Sequence, residues 1–443
     1  MGNKLPSNWA ETELGNYVYL KNGFAYKTSQ FKNTGIPILK ISNIIRNGRV
    51  DISNPQFVSE SDLNPSFLVS KGDIVIAMSG ATTGKFGIYE GDRLLLQNQR
   101  VGNIKLRSEI HGNKRFVYYL IGYLKKEIGE RAYGGAQPNI SPALIESIKI
   151  PLPPLAEQER IVAKLDALFV QHEALKNALE RIPKLLKNFR QQVLTQAVTG
   201  KLTEEWRVNK LIEEWLDLEI FDLVKDFKKD VRTGPFGSSL AKSEHQSEGL
   251  PVWGIESIGL NGKFTGKNKI YISEKKAKDL QSFRVKGGDI IISRSGTVGE
   301  LCIVPESYND GFISTNLLKI VLDHSVVDSL FFCWMFKANP KLLSELKELC
   351  KGSTRLFITQ NILKSLVFQL PPLLEQQEIV SRVESMFAKA DKIEEKYKML
   401  KSKIDALPQA ILHKAFKGEL VPQLPTDSDA KELLREIKKL KIK

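Results

Sequence analysis

The strongest constraint on the fold of this chain is an internal repeat of about half its length. Residues 35–44 match residues 249–258 at an offset of 214, and residues 72–80 match residues 288–296 at an offset of 216. Further along the chain the offset settles at 218 and stays constant. A repeat this long indicates two similar structural units, so we expect the halves to fold alike, with loops absorbing the drift in offset.

Each copy divides into a globular part of about 150 residues and a helical part of about 50. Short apolar runs bounded by Gly and Ser, such as 73–77 and 289–293, are typical of buried strands. Leu-rich stretches such as 116–128 and 330–349 have the apolar spacing of helices. This mixture predicts the α+β class for both globular parts.

The helical parts carry apolar residues at alternating steps of four and three, a 3.5-residue period that predicts a coiled-coil seam. The two series are Leu165, Leu168, His172, Leu175, Leu179, Ile182, Leu186, Phe189 and Val193, then Ile379, Val383, Met386, Ala390, Ile393, Tyr397, Leu400, Ile404, Leu407 and Ile411. Because the chain leaves the first globular part along one helix and returns along the other, we expect them to pack antiparallel. They form a pseudo-two-fold spacer or, alternatively, an oligomerisation stalk. We assign no chemistry to His172.

These patterns predict five segments. Residues 1–152 form the first globular domain and 153–206 the first spacer helix region, with Pro183 as a place for a bend. Residues 207–370 and 371–425 repeat that arrangement. Residues 426–443 read as a basic amphipathic tail, for which contact with a partner or DNA and a frayed terminus both remain open.

The composition favours a polyanionic partner. Lys and Arg number 65 against 51 Asp and Glu, a net charge of +14, which suits nucleic acid or an anionic membrane surface, although a merely soluble basic protein is the plain alternative. No apolar run approaches the roughly 18 residues of a membrane span. The three cysteines show no C-x-x-C or His spacing, so we expect a reduced, cytoplasmic location and no contact with a membrane.

The best candidates for DNA contacts are Lys and Arg for phosphates, and Asn, Gln and Arg for base edges. Between Leu14 and Val50 basic residues alternate with aromatic ones and no acidic residue occurs. The candidates are Lys21, Lys27, Lys40, Asn43, Arg46, Asn47, Arg49, Lys85, Asn98, Gln99 and Arg100, and in the second half Lys263, Lys267, Lys269, Arg294, Asn316, Lys351 and Arg355. Each could instead be a solvated side chain or a turn residue. Residues shared by both copies, such as Asp73 and Asp289, are expected to be framework.

No catalytic or metal-binding signature is evident. The turn 80–86 superficially resembles a phosphate-binding loop, but it has one residue too few between its glycines, and Phe86 stands where the magnesium-binding hydroxyl belongs. The five histidines do not cluster with carboxylates in the sequence. We therefore predict no catalytic residue, no metal site and no cofactor in this chain.

Several motifs, taken in order, are similar to those of a known family. They are KISNI at 40–44, GDIVIAMSGATTGK at 72–85, GGAQPNIS at 134–141, Pro-Pro-Leu-x-Glu-Gln starting at Pro153 and again at Pro371, and AVTGKLTEEWR at 197–207. With them the chain, to about Pro422, resembles the specificity subunit of type I restriction-modification systems. The second copy departs at Glu256-Ser257, in place of Ser42-Asn43, and at 356–357, in place of Pro138-Asn139.

This resemblance implies two target-recognition domains, each reading one half of a bipartite site on double-stranded DNA, with the helices setting the gap. It also implies two docked methyltransferase subunits supplying S-adenosylmethionine chemistry, and restriction subunits with ATP-driven translocation that uses magnesium. The chain itself would be non-catalytic. A coiled-coil scaffold without DNA readout, and an enzyme with an unrecognised active site, are the alternatives.

Overall fold

The computed structural model describes residues 5–45, 48–132, 138–210, 214–236, 239–259, 262–295, 299–308, 310–349 and 357–441. The chain separates into two compact units, each of which combines sheets with long helices. Unit 1 comprises Met1–Glu180 with Lys398–Lys443, and unit 2 comprises Arg181–Tyr397. The predicted α+β class with two similar halves is confirmed.

Within the described residues the strands fall into two sets of the same size. In the first half they are β1 (Ala10–Glu13), β2 (Val18–Asn22), β3 (Ile36–Leu39), β4 (Gln56–Val58), β5 (Leu68–Val69), β6 (Ile74–Ala77), β7 (Phe86–Ile88), β8 (Leu95–Gln97), β9 (Val101–Leu106) and β10 (Lys149–Leu152). In the second half they are β11 (Leu216–Glu219), β12 (Val231–Thr233), β13 (Leu250–Trp253), β14 (Asn268–Ile272), β15 (Arg284–Val285), β16 (Ile290–Ser293), β17 (Leu301–Ile303), β18 (Gly311–Ile313), β19 (Leu317–Ile320) and β20 (Val367–Leu370).

The helices include three long ones that follow the globular parts. They are α1 (Lys114–Ala132), α2 (Pro142–Glu146), α3 (Leu155–Glu180), α4 (Ile182–Val198), α5 (Glu204–Lys210), α6 (Phe227–Asp230), α7 (Glu274–Asp279), α8 (Ser329–Ala338), α9 (Pro340–Leu349), α10 (Gln360–Lys364), α11 (Leu373–Phe416) and α12 (Ala430–Lys441). The Leu-rich stretch 330–349 is divided between α8 and α9, because Asn339 ends one helix and its side chain accepts hydrogen bonds from Lys341 N and Leu342 N at the start of the next.

Strand order is duplicated between the units. The sheet β2-β9-β6-β7 in unit 1 has the same order as β12-β19-β16-β17 in unit 2, and β4-β3-β8-β5 has the same order as β14-β13-β18-β15. In both copies one pair is parallel, β3 with β8 and β13 with β18. The apolar runs predicted as buried strands are β6 and β16, whose residues are all buried.

The predicted helix pair is antiparallel within each unit. In unit 1, Glu157 on α3 contacts Gln423, while His172 further along α3 contacts Ile404, so the partner number falls as the α3 number rises. In unit 2, Arg190 on α4 pairs with Asp391 and Glu394 at 2.6 and 2.9 Å, while Leu202, further along the chain, accepts a 2.9 Å bond from Arg382, so the partner number falls here too. The first long helix is interrupted at Arg181, just before Pro183, whereas α11 stays helical through Pro408.

The seam predicted for these helices is buried unevenly. Leu165, His172, Leu186, Val193, Ile379, Val383, Ala390 and Ile411 are buried. Leu175, Phe189, Ile393, Leu400 and Leu407 are 36–51% exposed. The predicted seam is therefore only partly buried within the described residues of each unit.

A buried carboxylate anchors the start of the helix in unit 1. Glu157 is fully buried and accepts hydrogen bonds from Trp9 Nε1 at 3.0 Å, Gln423 Nε2 at 3.1 Å and Asn8 Nδ2 at 3.4 Å. The next residue, Gln158, accepts a 2.6 Å bond from the Tyr17 hydroxyl and donates to Pro153 O. Because a buried charge is costly unless hydrogen-bonded, these bonds require the two ends of the chain to meet at the helix start.

The second copy repeats this anchor with different donors. Fully buried Glu375 accepts a 2.6 Å bond from the Thr203 hydroxyl, a 3.2 Å bond from Trp215 Nε1 and bonds of 2.9–3.2 Å from the Arg207 guanidinium. Gln376 donates to Pro371 O, as Gln158 does to Pro153 O. The repeated Pro-Pro-Leu-x-Glu-Gln motif is thus an interior joint between helix and sheet.

The basic tail is packed rather than frayed. Leu433 and Ile437 of α12 are buried in the core of unit 1, and Ala430 N donates to Asn8 O at 3.0 Å. Arg160 on α3 forms two hydrogen bonds, of 2.9 and 2.5 Å, with the carboxylate of Asp427. This pairing holds the pKa of Asp427 below its usual value.

The two buried carboxylates differ in their partners, because Glu375 pairs with the Arg207 guanidinium and Glu157 has only neutral donors. This difference gives a matched comparison. Replacing Glu375 with Gln leaves the Arg207 guanidinium beside a neutral amide, and we expect a loss of about 3 kcal/mol in the free energy of unfolding. Glu157→Gln, whose hydrogen-bond partners are all neutral, should lose about 1 kcal/mol. Urea titration of the two variants measures the difference, and equal losses would contradict it.

Candidate nucleic-acid interface

A polar cleft opens in unit 1 where several strands end. It has a volume of about 580 Å³ and is lined by Asn22, Met78, Ser79, Gly80, Gln99, Arg100 and residues 138–142. Main-chain hydrogen bonds hold its walls together: Met78 N donates to Arg100 O at 3.0 Å, and Ile140 N donates to Met78 O at 2.9 Å. The geometry of the cleft is therefore set by backbone.

Two side chains at the mouth of the cleft have no hydrogen-bond partner in the described part of the chain. Gln99 and Arg100 are exposed in the turn between β8 and β9, and within the described part of the chain their side chains make no hydrogen bond or ion pair. The buried Ser79 hydroxyl, which also lines the cleft, has no hydrogen-bond partner among the described residues. An amide and a guanidinium held on a rigid turn suit bidentate contacts with purine edges.

Buried Gln97 clamps that turn. Its Nε2 donates to Lys21 O and to Val101 O, both at 2.6 Å. Gly23 approaches Asn98 so closely that a Cβ would lie 2.2 Å from its carbonyl oxygen, and Gly234 approaches Ser314 in the same way. We did not predict Asn22, Gln97 or Asn139 as site residues, because nothing in the linear pattern distinguishes them from other polar residues.

The predicted basic residues nearest this turn lie where β2 and β3 end. Lys21 lies over the Phe67 ring at 5.7 Å, and Lys40 lies over Phe31 at 5.1 Å. Burial lowers the pKa of the Lys40 ammonium below its usual value. Asn98 N donates to Leu39 O at 3.0 Å, which places Lys40 next to the turn. Cations stacked on rings keep a defined position from which to reach phosphate.

Other candidates in this half are already engaged or lie elsewhere. Asn43 stabilises its own loop, accepting from Lys40 N and donating to Asp51 O, both at 2.9 Å. Arg49 lies beside β7 with its guanidinium 3.9 Å from Glu90. Lys27 is exposed in the loop after β2, and Lys85 lies in the turn between β6 and β7. Arg46 and Asn47 lie outside the described residues.

The second unit carries different side chains on the same frame. Arg294 occupies the position that Met78 has in unit 1. Its main-chain N–H donates to Asn316 O at 2.9 Å, as the N–H of Met78 does to Arg100 O. Its guanidinium donates to Thr315 O at 3.0 Å and Ile358 O at 3.1 Å, and it stacks on Phe236 at 5.3 Å. Burial lowers the pKa of this guanidinium. Arg294 thus ties the turn to its neighbours.

The remaining candidates of unit 2 are mostly exposed. Asn316 is exposed in the turn before β19, where its Oδ1 accepts a 2.9 Å bond from the Ser295 hydroxyl. Lys263, Lys267 and Lys269 are all exposed on or just before β14. Lys351 and Arg355 lie outside the described residues.

The acidic residues shared by the copies lie in the interior. Asp73 Oδ2 accepts bonds from Ser70 N, Asn103 Nδ2 and Lys105 Nζ at 2.9, 3.1 and 2.5 Å. In the second copy Lys319 takes the register position of Asn103, and burial raises the pKa of Asp289 while it lowers the pKa of Lys319. Both carboxylates therefore brace strands rather than face a ligand.

The described ranges lack two further features. No group of three or more His, Cys, Asp or Glu residues in them is placed to hold a metal ion. Nor do they contain a helix with the length and apolarity needed to cross a membrane.

Comparison with known proteins gives one consistent family. The family model described as "Type I restriction modification DNA specificity domain" matches residues 6–184 and 230–401. The specificity subunit of the type I restriction enzyme StySPI from Salmonella potsdam is 31% identical over 436 residues, covering 95% of this chain and 91% of that protein. The EcoKI specificity subunit from Escherichia coli strain K12 is 29% identical over 462 residues, covering 98% and 96%.

Solved structures share the fold. The HsdS subunit from Thermoanaerobacter tengcongensis aligns with a TM-score of 0.63 at 20% identity, covering 94% of this chain and 99% of that chain. A chain from a structure of complex assembly and conformational transition in the type I R-M system aligns with a TM-score of 0.66, also at 20% identity and with the same coverage.

The contrast between Arg294 and Arg100 is testable without DNA. Arg294→Met, which introduces the residue of the first copy, removes two hydrogen bonds to main-chain carbonyls, and we expect a loss of about 2 kcal/mol in the free energy of unfolding. The same substitution at exposed Arg100 should change it by less than about 0.5 kcal/mol. Chemical denaturation of both variants provides the measurement. Similar losses at the two positions would show that Arg294 does not brace the turn.

Proposed function

The chain belongs to the type I restriction modification DNA specificity family, and from this premise we propose that it is the non-catalytic, sequence-reading subunit of such a complex. Each unit contributes one target-recognition domain, residues 1–152 and 207–370. Each domain reads one half of a bipartite site on double-stranded DNA. The spacer regions 153–206 and 371–425 set the gap between the half-sites.

The observation that carries this proposal is a shared frame with unlike side chains at one turn. The turn after β8 presents Asn98, Gln99 and Arg100, and the corresponding turn after β18 presents Ser314, Thr315 and Asn316. Base identity is read by the donors and acceptors of side chains, whereas main-chain frames fix their position. Two equal frames with different side chains support the reading of two different half-sequences.

Lysines supply the sequence-independent part of binding. Phosphate contacts are supported by Lys21 and Lys40 of unit 1, which lie over aromatic rings, and by the exposed Lys263, Lys267 and Lys269 of unit 2. The net charge of +14 favours the same partner. Such contacts release counterions, so the affinity for DNA falls steeply as salt rises.

Partners complete the activity in this proposal. Two methyltransferase subunits dock on the helical regions, where the apolar side chains of Leu175 and Leu400 in unit 1 and of Ile393 in unit 2 are 49–51% exposed. They bind S-adenosylmethionine, and restriction subunits supply ATP-driven translocation with magnesium. The complex works in the cytoplasm, where the buried, unpaired thiols of Cys302 and Cys333 would stay reduced.

Arg100 provides the first test of this function. In a complex assembled with methyltransferase subunits, Arg100→Ala should relax the sequence preference at one position of one half-site, a loss of roughly tenfold to a hundredfold in discrimination, and leave the other half unchanged. Sequencing of methylated DNA measures both halves together. Lys126→Ala, on the exposed face of α1, is the matched basic control and should change neither half. Relaxation of both halves, or of neither, contradicts the assignment of Arg100.

The spacer provides a second test. Seven residues added to α3 after Leu175 and seven added to α11 after Lys401, at facing levels of the antiparallel pair, preserve the apolar period and lengthen the helices by about 10 Å. We expect a longer gap of about three base pairs with both half-sequences unchanged. The same methylation sequencing reads the gap directly. An unchanged gap, or altered half-sequences, would mean that the helices do not set the spacing.

A further inference from the structure

A proline interrupts the hydrogen bonding of the long helix α11. In an α-helix the carbonyl of residue i accepts the N–H of residue i+4, and proline has no N–H to give. Pro408 lies inside α11, so the carbonyl of Ile404 lacks its i+4 N–H partner within the helix. A carbonyl left unsatisfied next to apolar packing would destabilise unit 1.

His172 on α3 supplies the missing hydrogen bond. Its Nε2 lies 2.9 Å from Ile404 O, and the side chain is 9% exposed. A carbonyl oxygen only accepts, so the His172 Nε2 must carry the proton. The imidazole also meets the Phe169 ring edge-on, with centroids 6.5 Å apart, which fixes its orientation.

The same face of α3 packs against α1, which belongs to the recognition domain of unit 1. Phe169 stacks on Tyr119 of α1, with ring centroids 5.4 Å apart and planes 8° from parallel. One helical turn earlier, Asp166 accepts bonds from the Arg115 guanidinium at 2.8 and 3.0 Å and also bonds the Tyr119 hydroxyl. Asp166, Phe169 and His172 follow at steps of three and share one face. α3 is thereby tied to α1 and α11 together.

The repeat shows that His172 and Pro408 occur as a pair. At the constant offset of 218, the counterpart of His172 is Ala390 and the counterpart of Pro408 is Arg190. Unit 2 therefore has neither the proline that removes a donor nor the histidine that replaces it. His172 and Pro408 are present together in one copy and replaced together in the other. This is the pattern expected of two residues that act together.

We propose that His172 is a positioning residue, which repairs the hydrogen bond lost at Pro408 and so locks α11 to α3 in one register beneath the recognition domain of unit 1. The lock lets α11 keep a proline at this point without losing its pairing with α3. Its consequence for DNA, a single permitted gap between half-sites, rests on the function proposed above.

A double-mutant cycle tests the coupling without DNA. His172→Ala should shift the unfolding equilibrium about tenfold or more toward the unfolded chain when Pro408 is present, because Ile404 O is then orphaned. In a Pro408→Ala background the new N–H at position 408 bonds Ile404 O. The shift of the unfolding equilibrium caused by His172→Ala should then be about tenfold smaller. His172→Ala loses the same packing around the imidazole with either residue at position 408, so this part of its effect cancels when the two backgrounds are compared.

Two further variants sharpen the cycle. His172→Gln keeps an N–H donor on the side chain and should retain part of the stability, whereas His172→Leu, of similar size without a donor, should not. Pro183→Ala is the matched proline control: it removes a proline from the other long helix, and its effect should simply add to that of His172→Ala. An additive cycle with Pro408, or equal behaviour of the Gln and Leu variants, would overturn the proposal.

The proton position and the gap give independent readouts. Nitrogen-15 spectra of the histidine-labelled chain should show His172 protonated at Nε2, and a proton at Nδ1 alone would exclude the bond. In the assembled complex, His172→Ala should broaden the range of methylated gaps, and Pro408→Ala in the same chain should narrow it again. Unchanged gaps with intact half-site reading would overturn the positioning role alone. Failure of the wild-type complex to read DNA would instead overturn the proposed function and leave the cycle intact.

Discussion

Each unit depends on one buried carboxylate at the start of a long helix. Glu157 and Glu375 are fully buried, and an ionised group in such a position is tolerated only when donors surround it. The donors come from segments far apart in the sequence, Trp9 and Gln423 around Glu157, and Thr203 and Arg207 around Glu375. The anchor therefore joins helix, sheet and connecting segment in each unit, which explains why Pro-Pro-Leu-x-Glu-Gln is repeated.

Around these anchors the copies separate frame from surface. The sheets have the same strand order, and Asp73 and Asp289 brace corresponding strands. Among the residues that differ are those at the turn after β8 and its counterpart, and Met78 and Arg294, which are hydrogen-bonded to those turns. Because the main-chain hydrogen bonds of the frame do not involve the exposed side chains of the turn, those side chains can change while the frame is kept.

Much of this was predictable, for identifiable reasons. The strands β6 and β16 and the long helices follow from apolar periodicity, which reports local geometry and burial together. Asn98, Gln99 and Arg100 were predicted as candidates because their side chains are of the types suited to bidentate base contacts, and they remain candidates. Arg294 was predicted for DNA contact like Arg100, yet its guanidinium binds Thr315 O and Ile358 O. Residue type was the same in both cases, and the partners of Arg294 that distinguish them become neighbours only in the folded chain.

The sequence by itself determined the two-fold repeat, the class of each half, the antiparallel course of the helices and the family. These follow from periodicity and from ordered motifs, which are properties of the chain read locally. Tertiary structure alone decided which polar side chains remain uncommitted, how the tail packs through Arg160 and Asp427, and that His172 completes the hydrogen bonding of Ile404. The physical reason is that a hydrogen bond depends on two groups meeting in space, and these partners lie more than 200 positions apart in the chain.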